Sequence, residues 1–333
     1  MSVPNSASLS SPERFGFLLL PEYSTMSLSS ILEPLRSANR LSARQLYDWT
    51  VLTPDGEAAV SSSAVRILPD ESIETVERLD VLVVIAGMRP ELQGDKRLLA
   101  VLRRLARQGC RLGAISTGSY LLARAGLLDD YRCTIHWEYI AGFQEAFPNL
   151  DVTDELFEID RNRFTCSGGT AALDLMLSLI GADHGRDLAT GVAEQFIHER
   201  IRDRHDPQRM ALRARVGVSH PKLLKVIELM EASLEEPLLR SDLARQTGLS
   251  TRQLERLFRK YLGRTPTRYY LELRLQKARA LLMQTSMSVL DVALACGFVS
   301  ASHFSKCYRE YYAKTPRQER QMDAQPLTAL GTA

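Results

Sequence analysis

The feature of this sequence that most restricts its fold is an internal repeat in the C-terminal part of the chain. Residues 242–249 (DLARQTGL) match residues 291–298 (DVALACGF) at an offset of 49, and after one inserted residue the match continues at an offset of 50 as far as two Thr-Pro pairs. Each copy has the pattern of a helix, a tight turn that contains Gly, and a second helix. The sequence therefore predicts two helix-turn-helix units in tandem.

The residue types indicate where the turn and the buried face of each helix-turn-helix unit lie. In the first unit a helix from about Arg240 to Gln246 reaches Gly248, which can adopt the positive φ that a tight corner requires. Ser250 or Thr251 is placed to cap the following helix. Apolar residues then recur with helical spacing and are expected to face inward. They are Leu254, Leu257, Phe258 and Tyr261 in the first unit and Phe304, Cys307, Tyr308 and Tyr311 in the second.

The outward faces of the second helices carry side chains that can read DNA. Arg, Gln, Ser or His near the N-terminal end of such a helix can reach base edges in the major groove, and later Lys and Arg can contact phosphates. A helical bundle with a solvated charged face is the alternative. The candidate DNA-binding residues are Thr251, Arg252, Gln253, Arg256, Arg259 and Lys260 in the first unit and Ser300, Ser302, His303, Lys306 and Arg309 in the second.

Charge is distributed unevenly along the chain, although the formal net charge is only +2. Residues 1–206 carry 21 Lys and Arg against 29 Asp and Glu, which gives −8, whereas residues 207–333 carry 21 against 11, which gives +10. A basic domain beside an acidic one predicts a polyanionic partner for the basic part. From charge alone, a solvated basic face is the competing explanation.

The N-terminal half has a different pattern, in which short β-rich runs alternate with helical stretches. This alternation is typical of a parallel α/β sheet. The β-rich runs are residues 15–20, 49–53, 81–85 and 111–115, and the helical stretches are residues 27–41, 96–108 and 170–180. We expect an α/β domain with a flavodoxin-like parallel sheet at residues 13–203, a linker at residues 204–219, and an all-α domain with two helix-turn-helix units at residues 220–320.

Two long stretches of the C-terminal half carry a family resemblance: SDLARQTGLSTRQLERLFRKYLGRTPTRYYLELRLQKARALL and SVLDVALACGFVSASHFSKCYREYYAKTP. The region from about Lys222 to Arg320 closely resembles the DNA-binding domain of AraC-type transcription regulators. The resemblance implies that residues 266–284 form a long helix joining two units that enter successive major-groove turns, about 34 Å apart. It also implies that the base readers are Arg252, Gln253 and Arg256 in the first unit and Ser302, His303 and Lys306 in the second.

A strand pattern, a sharp turn and a helical pattern follow one another around Ser116. Residues 111–115 (RLGAI) read as a buried strand, Ser116-Thr117-Gly118 turns the chain, and residues 119–125 are helical. This is the arrangement of a nucleophile elbow, which would present Ser116 at the start of a helix. The strict GxSxG motif is absent, because Ala114 stands two residues before Ser116. A Ser in such a turn is more often a helix cap than a nucleophile.

Four stretches extend this observation to the whole N-terminal half: AISTG at 114–118, AGLLD at 125–129, TIHW at 134–137 and TCSGGTAALD at 165–174. Over about residues 13–200 the chain resembles the class I glutamine amidotransferase-like domain, also called the PfpI-type fold. With its C-terminal half, it resembles the GlxA-like subgroup of AraC/XylS-type regulators. In the wider superfamily the position of Ser116 is a reactive Cys, whereas a Ser hydroxyl needs an oriented base to become nucleophilic.

We expect a binding site rather than a catalytic one at the carboxyl ends of the parallel strands, where open α/β sheets place ligands. Glu33 is similar in position to the superfamily's acidic residue, and Trp137 supplies an aromatic wall, with core packing as its alternative role. An acid and aromatic rings can hold a cationic amine, and the resemblance implies amino acids, betaines or carnitine-like compounds as effectors. The candidate ligand-binding residues are Glu33, Gly87, Met88, Ser116, Thr117, His136 and Trp137.

The sequence thus predicts a one-component transcription regulator. By resemblance it is an activator that acts on promoter DNA with RNA polymerase, under the control of a small-molecule effector. We expect a homodimer, because paired sites multiply affinity through effective concentration, with the interface on the acidic α/β domain. The alternatives are an amidohydrolase in which His136 activates Ser116, and a constitutive DNA-binding protein whose α/β half only dimerises.

Other classes of site and location are not expected. Five scattered cysteines, which read as core residues, and the lack of a nucleotide-binding motif predict no metal site and no cofactor. His198 and His205 are expected to lie on a solvated face. The absence of a long apolar run and of a signal peptide predicts a cytoplasmic protein without a membrane span.

Overall fold

A computed structural model of the chain describes residues 11–323. The chain divides into two compact units between Gln208 and Arg209. Residues 204–208 of the predicted linker therefore belong to the first unit. Within the described residues, no helix combines the length and the apolar character needed to cross a membrane.

The first unit is built on a mostly parallel β-sheet. Its described strands are β1 (Glu13–Leu19), β2 (Tyr47–Thr53), β3 (Ala59–Val60), β4 (Arg66–Ile67), β5 (Glu71–Ser72), β6 (Val81–Ala86), β7 (Arg111–Ser116), β8 (Arg132–Cys133), β9 (Asp151–Val152), β10 (Phe157–Asp160) and β11 (Arg163–Cys166).

Seven strands form the central sheet in the order β10-β11-β7-β6-β1-β2-β5, and all neighbours are parallel except the antiparallel pair β10 and β11. The order β2-β1-β6-β7-β11 of its parallel strands is that of a flavodoxin-like sheet. Every residue of β6 is buried, because helices cover both faces of the sheet. The predicted α/β class is confirmed.

The helices of the first unit pack on the two faces of this sheet. They are α1 (Thr25–Ser42), α2 (Lys96–Arg107), α3 (Gly118–Arg124), α4 (Ile140–Ala146), α5 (Ala171–His184) and α6 (Arg186–Gln195), with a short 3₁₀ helix at Pro90–Leu92. The helices α1, α5 and α6 bury apolar residues on one face, and α2, α3 and α4 on the other. In α2, for example, Leu98, Leu102 and Leu105 are spaced along one side of the helix and are buried.

The second unit contains helices and no strand among its described residues. The helices are α7 (Leu212–Val216), α8 (Pro221–Ala232), α9 (Arg240–Gln246), α10 (Thr251–Leu262), α11 (Pro266–Gln284), α12 (Val289–Ala295), α13 (Ala301–Tyr312) and α14 (Pro316–Asp323). The bounds of α9 and α11 are those expected from the sequence, and the predicted all-α class is confirmed.

In α10 and α13, the second helices of the two helix-turn-helix units, fewer side chains are buried than predicted. Leu254, Phe258, Phe304 and Tyr308 are fully buried, whereas Tyr261 is 39% exposed. Tyr261 lies in the last turn of α10, beyond the buried core, and its ring packs against the ring of His220 at 5.6 Å between centroids. The prediction of a buried side chain is therefore wrong for Tyr261.

Four of the five cysteines are buried, as predicted, but Cys307 on α13 is only partly buried. Burial raises the pKa of the Cys110, Cys133 and Cys166 thiols to about 12. Thiols with such pKa values are protonated near neutral pH and therefore unreactive.

Candidate functional site

The chain makes a strained turn at Ser116, where β7 ends and α3 begins. Ser116 has a φ of +62°, in the left-handed region, which costs an L-amino acid about 1–2 kcal/mol. Gly118 opens α3 beneath the neighbouring strand, since a Cβ atom there would lie 2.2 Å from the carbonyl oxygen of Val84. The predicted elbow geometry is therefore present, with Ser116 at the carboxyl edge of the sheet.

Three chain segments that each contain a residue in the left-handed backbone conformation meet at this edge. Glu22, Arg89 and Ser116 have φ values of +61°, +54° and +62°, and they follow or end the adjacent strands β1, β6 and β7. Strained backbone of this kind clusters at functional sites. The edge between β1 and β6 is also where the strand order reverses, which is the usual ligand position in this fold.

Gly87 holds the three loops together. A Cβ atom on Gly87 would lie 1.7 Å from the carbonyl oxygen of Glu22, so only Gly permits this approach. The hydroxyl of Thr117 donates to the carbonyl oxygen of Gly87. The carboxylate of Glu22 pairs with the guanidinium of Arg89 at 3.3 Å, and both side chains are mostly buried. The neighbouring Met88 is 44% exposed.

His136 and Trp137 form the adjacent wall. The backbone N–H of His136 donates to the carbonyl oxygen of Ser116 at 3.3 Å, and the hydroxyl of Ser119 donates to the carbonyl oxygen of Thr134 at 2.7 Å. The His136 and Trp137 rings are 5.6 Å apart, and Trp137 is 38% exposed. Trp137 is thus a surface aromatic residue beside the elbow and not a core residue.

The imidazole of His136 is neutral near pH 7. Burial lowers its pKa, and the nearby carboxylate of Glu138 opposes this only in part. The Nδ1 atom accepts a long hydrogen bond from the backbone N–H of Glu138 at 3.4 Å. In the neutral ring the proton therefore lies on Nε2.

The Gly168-Gly169 pair and Ser27 complete the elbow, and neither was among the predicted site residues. A Cβ atom on Gly168 would lie 2.9 Å from Cβ of Ser116, and the N–H of Gly169 donates to the hydroxyl of the buried Ser27 at 2.9 Å. The Gly pair lies in the TCSGGTAALD stretch that carried the resemblance, so the sequence held a signal for it. For Ser27 the sequence held none.

Glu33 does not join this cluster. Its carboxylate pairs with Arg36, three residues later on the same helix, at 2.7 Å. Glu33 lies six residues after Ser27, which places it about 9 Å further along α1 and on a different side of the helix. The carboxylate that lies at this edge of the sheet is that of Glu22.

A surface groove of about 420 Å³ lies at the opposite edge of the sheet, between the end of α1 and the start of α6. Leu41, Arg44, His184 and Leu188 are among its lining residues, and none of the predicted ligand-binding residues is.

The candidate DNA-binding residues of the first helix-turn-helix unit lie on the exposed face of α10, and all six are exposed. A capping box starts this helix: the hydroxyl of Ser250 accepts from the N–H of Gln253, and Oε1 of Gln253 accepts from the N–H of Ser250 at 2.8 Å. The oxygen of the Gln253 amide is thus occupied by the helix cap.

In the second helix-turn-helix unit, four of the five candidate DNA-binding residues lie on the exposed face of α13. Ser302, His303, Lys306 and Arg309 are exposed. Ser300 is partly buried and caps the helix, since its hydroxyl accepts from the N–H of His303 at 3.2 Å.

A cation from the preceding helix fixes each turn, which the sequence did not reveal. The ammonium of Lys222 donates to the carbonyl oxygen of Gly248 at 2.8 Å. The guanidinium of Arg274 donates to the carbonyl oxygens of Cys296 and Gly297, both at 2.7 Å. A Cβ atom on Gly297 would lie 2.7 Å from the carbonyl oxygen of Leu234, so the turn of the second helix-turn-helix unit packs directly on the loop between α8 and α9.

Among residues 11–323, no three His, Cys, Asp or Glu side chains come together as a metal site. The two singled-out histidines have carboxylate partners instead. His198 Nε2 lies 2.8 Å from the fully buried Asp174, and His205 Nδ1 lies 2.9 Å from Glu155. The expectation of a solvated face is wrong for His198.

Comparison with known proteins identifies a family for each unit. The DJ-1/PfpI family matches residues 17–182, and a helix-turn-helix domain family (HTH_18) matches residues 243–322. The first unit is also similar to the isonitrile hydratase of Pseudomonas putida, with 32% identity over 188 residues that cover 55% of this chain and 77% of the enzyme.

Similarity over nearly the whole chain is found with transcription regulators. The chain is 52% identical over 316 residues to the HTH-type transcriptional regulator GbdR of Pseudomonas aeruginosa, covering 95% of this chain and 86% of GbdR. It is 40% identical over 305 residues to GlxA of Rhizobium meliloti, covering 91% and 94%. A solved AraC family regulator from Pseudomonas putida matches 56% of this chain and all of its own, with 35% identity and a TM-score of 0.52. The chain therefore belongs to the AraC-type helix-turn-helix transcriptional regulators that carry an N-terminal DJ-1/PfpI domain.

Proposed function

We propose that the first unit senses a small cationic metabolite, an amino acid or a quaternary amine, at the edge around Ser116. The main observation in favour of this function is that three loops with strained backbone meet beside the exposed Trp137. Backbone strain persists only where the surrounding structure enforces it, and an exposed Trp face attracts cations. The neutral His136 adds an aromatic ring without a positive charge that would repel the ligand.

Two carboxylates at this edge of the sheet support a cationic ligand. Glu138 follows Trp137 directly in sequence, and Glu22 lies on the loop after β1, paired with Arg89. A ligand that also carries a carboxylate finds a guanidinium in the same pair. A zwitterion such as an amino acid or a betaine matches this charge arrangement better than a simple amine.

The tautomer of His136 favours binding over catalysis. A general base must accept the nucleophile's proton, as Nε2 of histidine does in a serine triad, while Nδ1–H is held by an acid. In His136 the order is reversed, because Nδ1 accepts from Glu138 and Nε2 carries the proton. The hydroxyl of Ser116 makes no hydrogen bond to this ring or to another described residue.

The second candidate function is an enzyme activity at Ser116, favoured by the elbow geometry and by the similarity to isonitrile hydratase. The two functions differ in the fate of the bound compound. An enzyme consumes it, and Ser116→Ala abolishes turnover while binding persists.

In the second unit we assign base reading to Arg252, Gln253 and Arg256 on α10 and to Ser302, His303 and Lys306 on α13. Thr251, Arg259, Lys260 and Arg309 then contact the phosphate backbone, while Ser300 positions the start of α13.

We further propose that residues 13–203 sense the effector and dimerise, that residues 204–219 link the two functions, with residues 204–208 held on the first unit, and that residues 220–320 bind a promoter. In this arrangement the regulator activates transcription in the cytoplasm through RNA polymerase. Sedimentation of the full chain as a concentration-independent monomer would argue against the dimer.

A thermal-shift and calorimetric screen of the full chain against amino acids and quaternary amines tests the sensor function, with each compound quantified before and after incubation. A ligand at 100 times its Kd should stabilise the first unit by about 2.7 kcal/mol. Trp137→Phe should retain most of the affinity and Trp137→Leu should lose it, because only Phe keeps an aromatic face. Equal binding by both variants would refute the cation site, and consumption of the compound would establish the enzyme.

A further inference from the structure

The last segment of the first unit, residues 198–208, is bound to its surface without forming a helix or strand. We call this segment the strap. It begins shortly after α6 and ends at Gln208, after which the chain enters the second unit. Its backbone pairs with the loop before β10: the N–H of Leu156 donates to the carbonyl oxygen of Arg204 at 2.8 Å, and Glu155 and Pro207 form an isolated antiparallel bridge.

The first anchor of the strap is Asp174 on α5, which is fully buried. Its carboxylate accepts from the backbone N–H of Arg202 at 2.7 Å and from Nε of Arg202 at 2.8 Å, and it also contacts His198. A further bond joins the Arg202 guanidinium to the hydroxyl of Thr170 at 2.8 Å. Thr170 directly follows the Gly pair at Ser116, so this anchor lies on one of the loops that form the elbow.

The second anchor is the side chain of Gln208, the last residue before the second unit. Its Nε2 lies 3.0 Å from the hydroxyl of Thr134, 3.1 Å from the carbonyl oxygen of Ile135 and 2.8 Å from that of Glu155. The next residue after Ile135 is His136, whose N–H binds Ser116. The strap is thus tied to both loops that flank Ser116.

The Gln208 side chain is held by several contacts, but its hydrogen-bonding capacity is not fully used. Three acceptors share the two N–H groups of one amide, and Oε1 of Gln208 is buried without a hydrogen-bond partner. A buried polar atom without a partner destabilises the arrangement that contains it. A small movement of the loop at residues 134–137 can therefore shift the balance between a docked and a released strap.

We propose that the strap is the element through which the site at Ser116 controls the DNA-binding unit. This inference rests on the proposed sensor function and specifies its regulation. Effector contact with His136 and Trp137 changes the position of the Ile135 carbonyl group, and the affinity of the loop for Gln208 changes with it. Coupling of this kind is reciprocal, so strap docking changes effector affinity by the same factor.

A disulfide between Glu155→Cys and Pro207→Cys locks the strap in the full chain. Paired residues in an antiparallel bridge have Cα separations of about 4.5–5.5 Å, within the range that a disulfide spans. The assay measures affinity for a duplex selected by the wild-type chain from a random pool, with and without glycine betaine. We expect glycine betaine to change the affinity of the reduced form by about fivefold or more and to leave that of the oxidised form unchanged. If glycine betaine changes the affinity of both forms by the same factor, the inference is overturned.

A second measurement needs no effector. Gln208→Ala should increase amide hydrogen exchange at residues 134–139 by about fivefold, because the Ile135 carbonyl group loses a hydrogen bond that contributes about 1 kcal/mol. The matched control is Asn39→Ala, which likewise removes an amide side chain with three hydrogen-bond contacts, here to the backbone of Leu46 and Tyr47 on the opposite edge of the sheet.

The two variants separate a specific effect from a general loss of stability. Asn39→Ala should leave exchange at residues 134–139 unchanged, and unchanged exchange in Gln208→Ala would refute the strap. If glycine betaine fails to bind the wild-type chain while Gln208→Ala behaves as expected, the proposed effector class is wrong and the strap is retained.

Discussion

Replacing Ser116 by Gly should stabilise the first unit, although it removes a side chain from the centre of the candidate site. The left-handed φ of +62° at Ser116 costs an L-residue about 1–2 kcal/mol. Gly adopts this conformation freely but loses about 0.5–1 kcal/mol more conformational entropy on folding. The central values leave a net stabilisation of about 0.75 kcal/mol, within a range of about 0–1.5 kcal/mol, which is roughly 2 °C in Tm for a unit of this size.

Tryptophan fluorescence during thermal unfolding of the full chain measures this effect, because both tryptophans, Trp49 and Trp137, lie in the first unit. Ala43→Gly is the control for backbone strain, since Ala43 has a φ of +52° at the end of α1, away from the site. It should raise Tm by a similar amount. Ser116→Ala keeps the Cβ atom and the strain and should leave Tm nearly unchanged.

The same variants separate stability from function. If strain at Ser116 is kept to present the hydroxyl to a ligand, Ser116→Gly should be more stable and bind effector more weakly, while Ala43→Gly should be more stable with unchanged binding. A loss of more than about 1 kcal/mol in Ser116→Gly would refute the reasoning, because it would make the side chain a structural element of the turn.

Three further predictions concern other parts of the molecule. Gly87→Ala should destabilise the first unit by about 2–4 kcal/mol in the same fluorescence assay, because its Cβ atom would overlap the Glu22 carbonyl group. Arg256→Ala should weaken operator binding by about 1–3 kcal/mol and relax specificity at one base pair; equal losses on operator and random DNA would make it a phosphate contact. Because the pKa of His136 is lowered by burial, the unfolded chain binds more protons below about pH 6.5, so stability should fall as pH decreases there and His136→Gln should reduce that slope.

Four strands of the central sheet and three helices of the first unit could be predicted because their signals are local. Each of these seven elements starts within two residues of its predicted position. The two-residue strands β3, β4, β5, β8 and β9 could not, because two residues hold no periodicity. Tyr261 shows the limit of periodicity within a helix: its spacing is that of a buried residue, but the neighbouring core ends one turn earlier.

The candidate site was predictable only where one segment forms it. Ser116 and Thr117 follow from a strand, a turn and a helix in sequence. Glu22 and Arg89 are 67 residues apart, and they meet because β1 and β6 are neighbours in the sheet, which a single sequence does not reveal. The resemblance predicts the acid on the helix after β1, at Glu33, whereas the structure places the carboxylate of Glu22 on the loop before that helix.

The internal repeat also explains why control should reach the second unit from outside it. Lys222 and Arg274 occupy equivalent places, each on the helix that precedes its unit and each bound to carbonyl groups of the following turn. Arg274 further stacks on the Phe298 ring at 4.1 Å, and Gly297 packs against the loop between α8 and α9. These contacts tie the two helix-turn-helix units to each other. On the strap proposal, control of the second unit therefore comes from the segment that leads into it, which ends at Gln208.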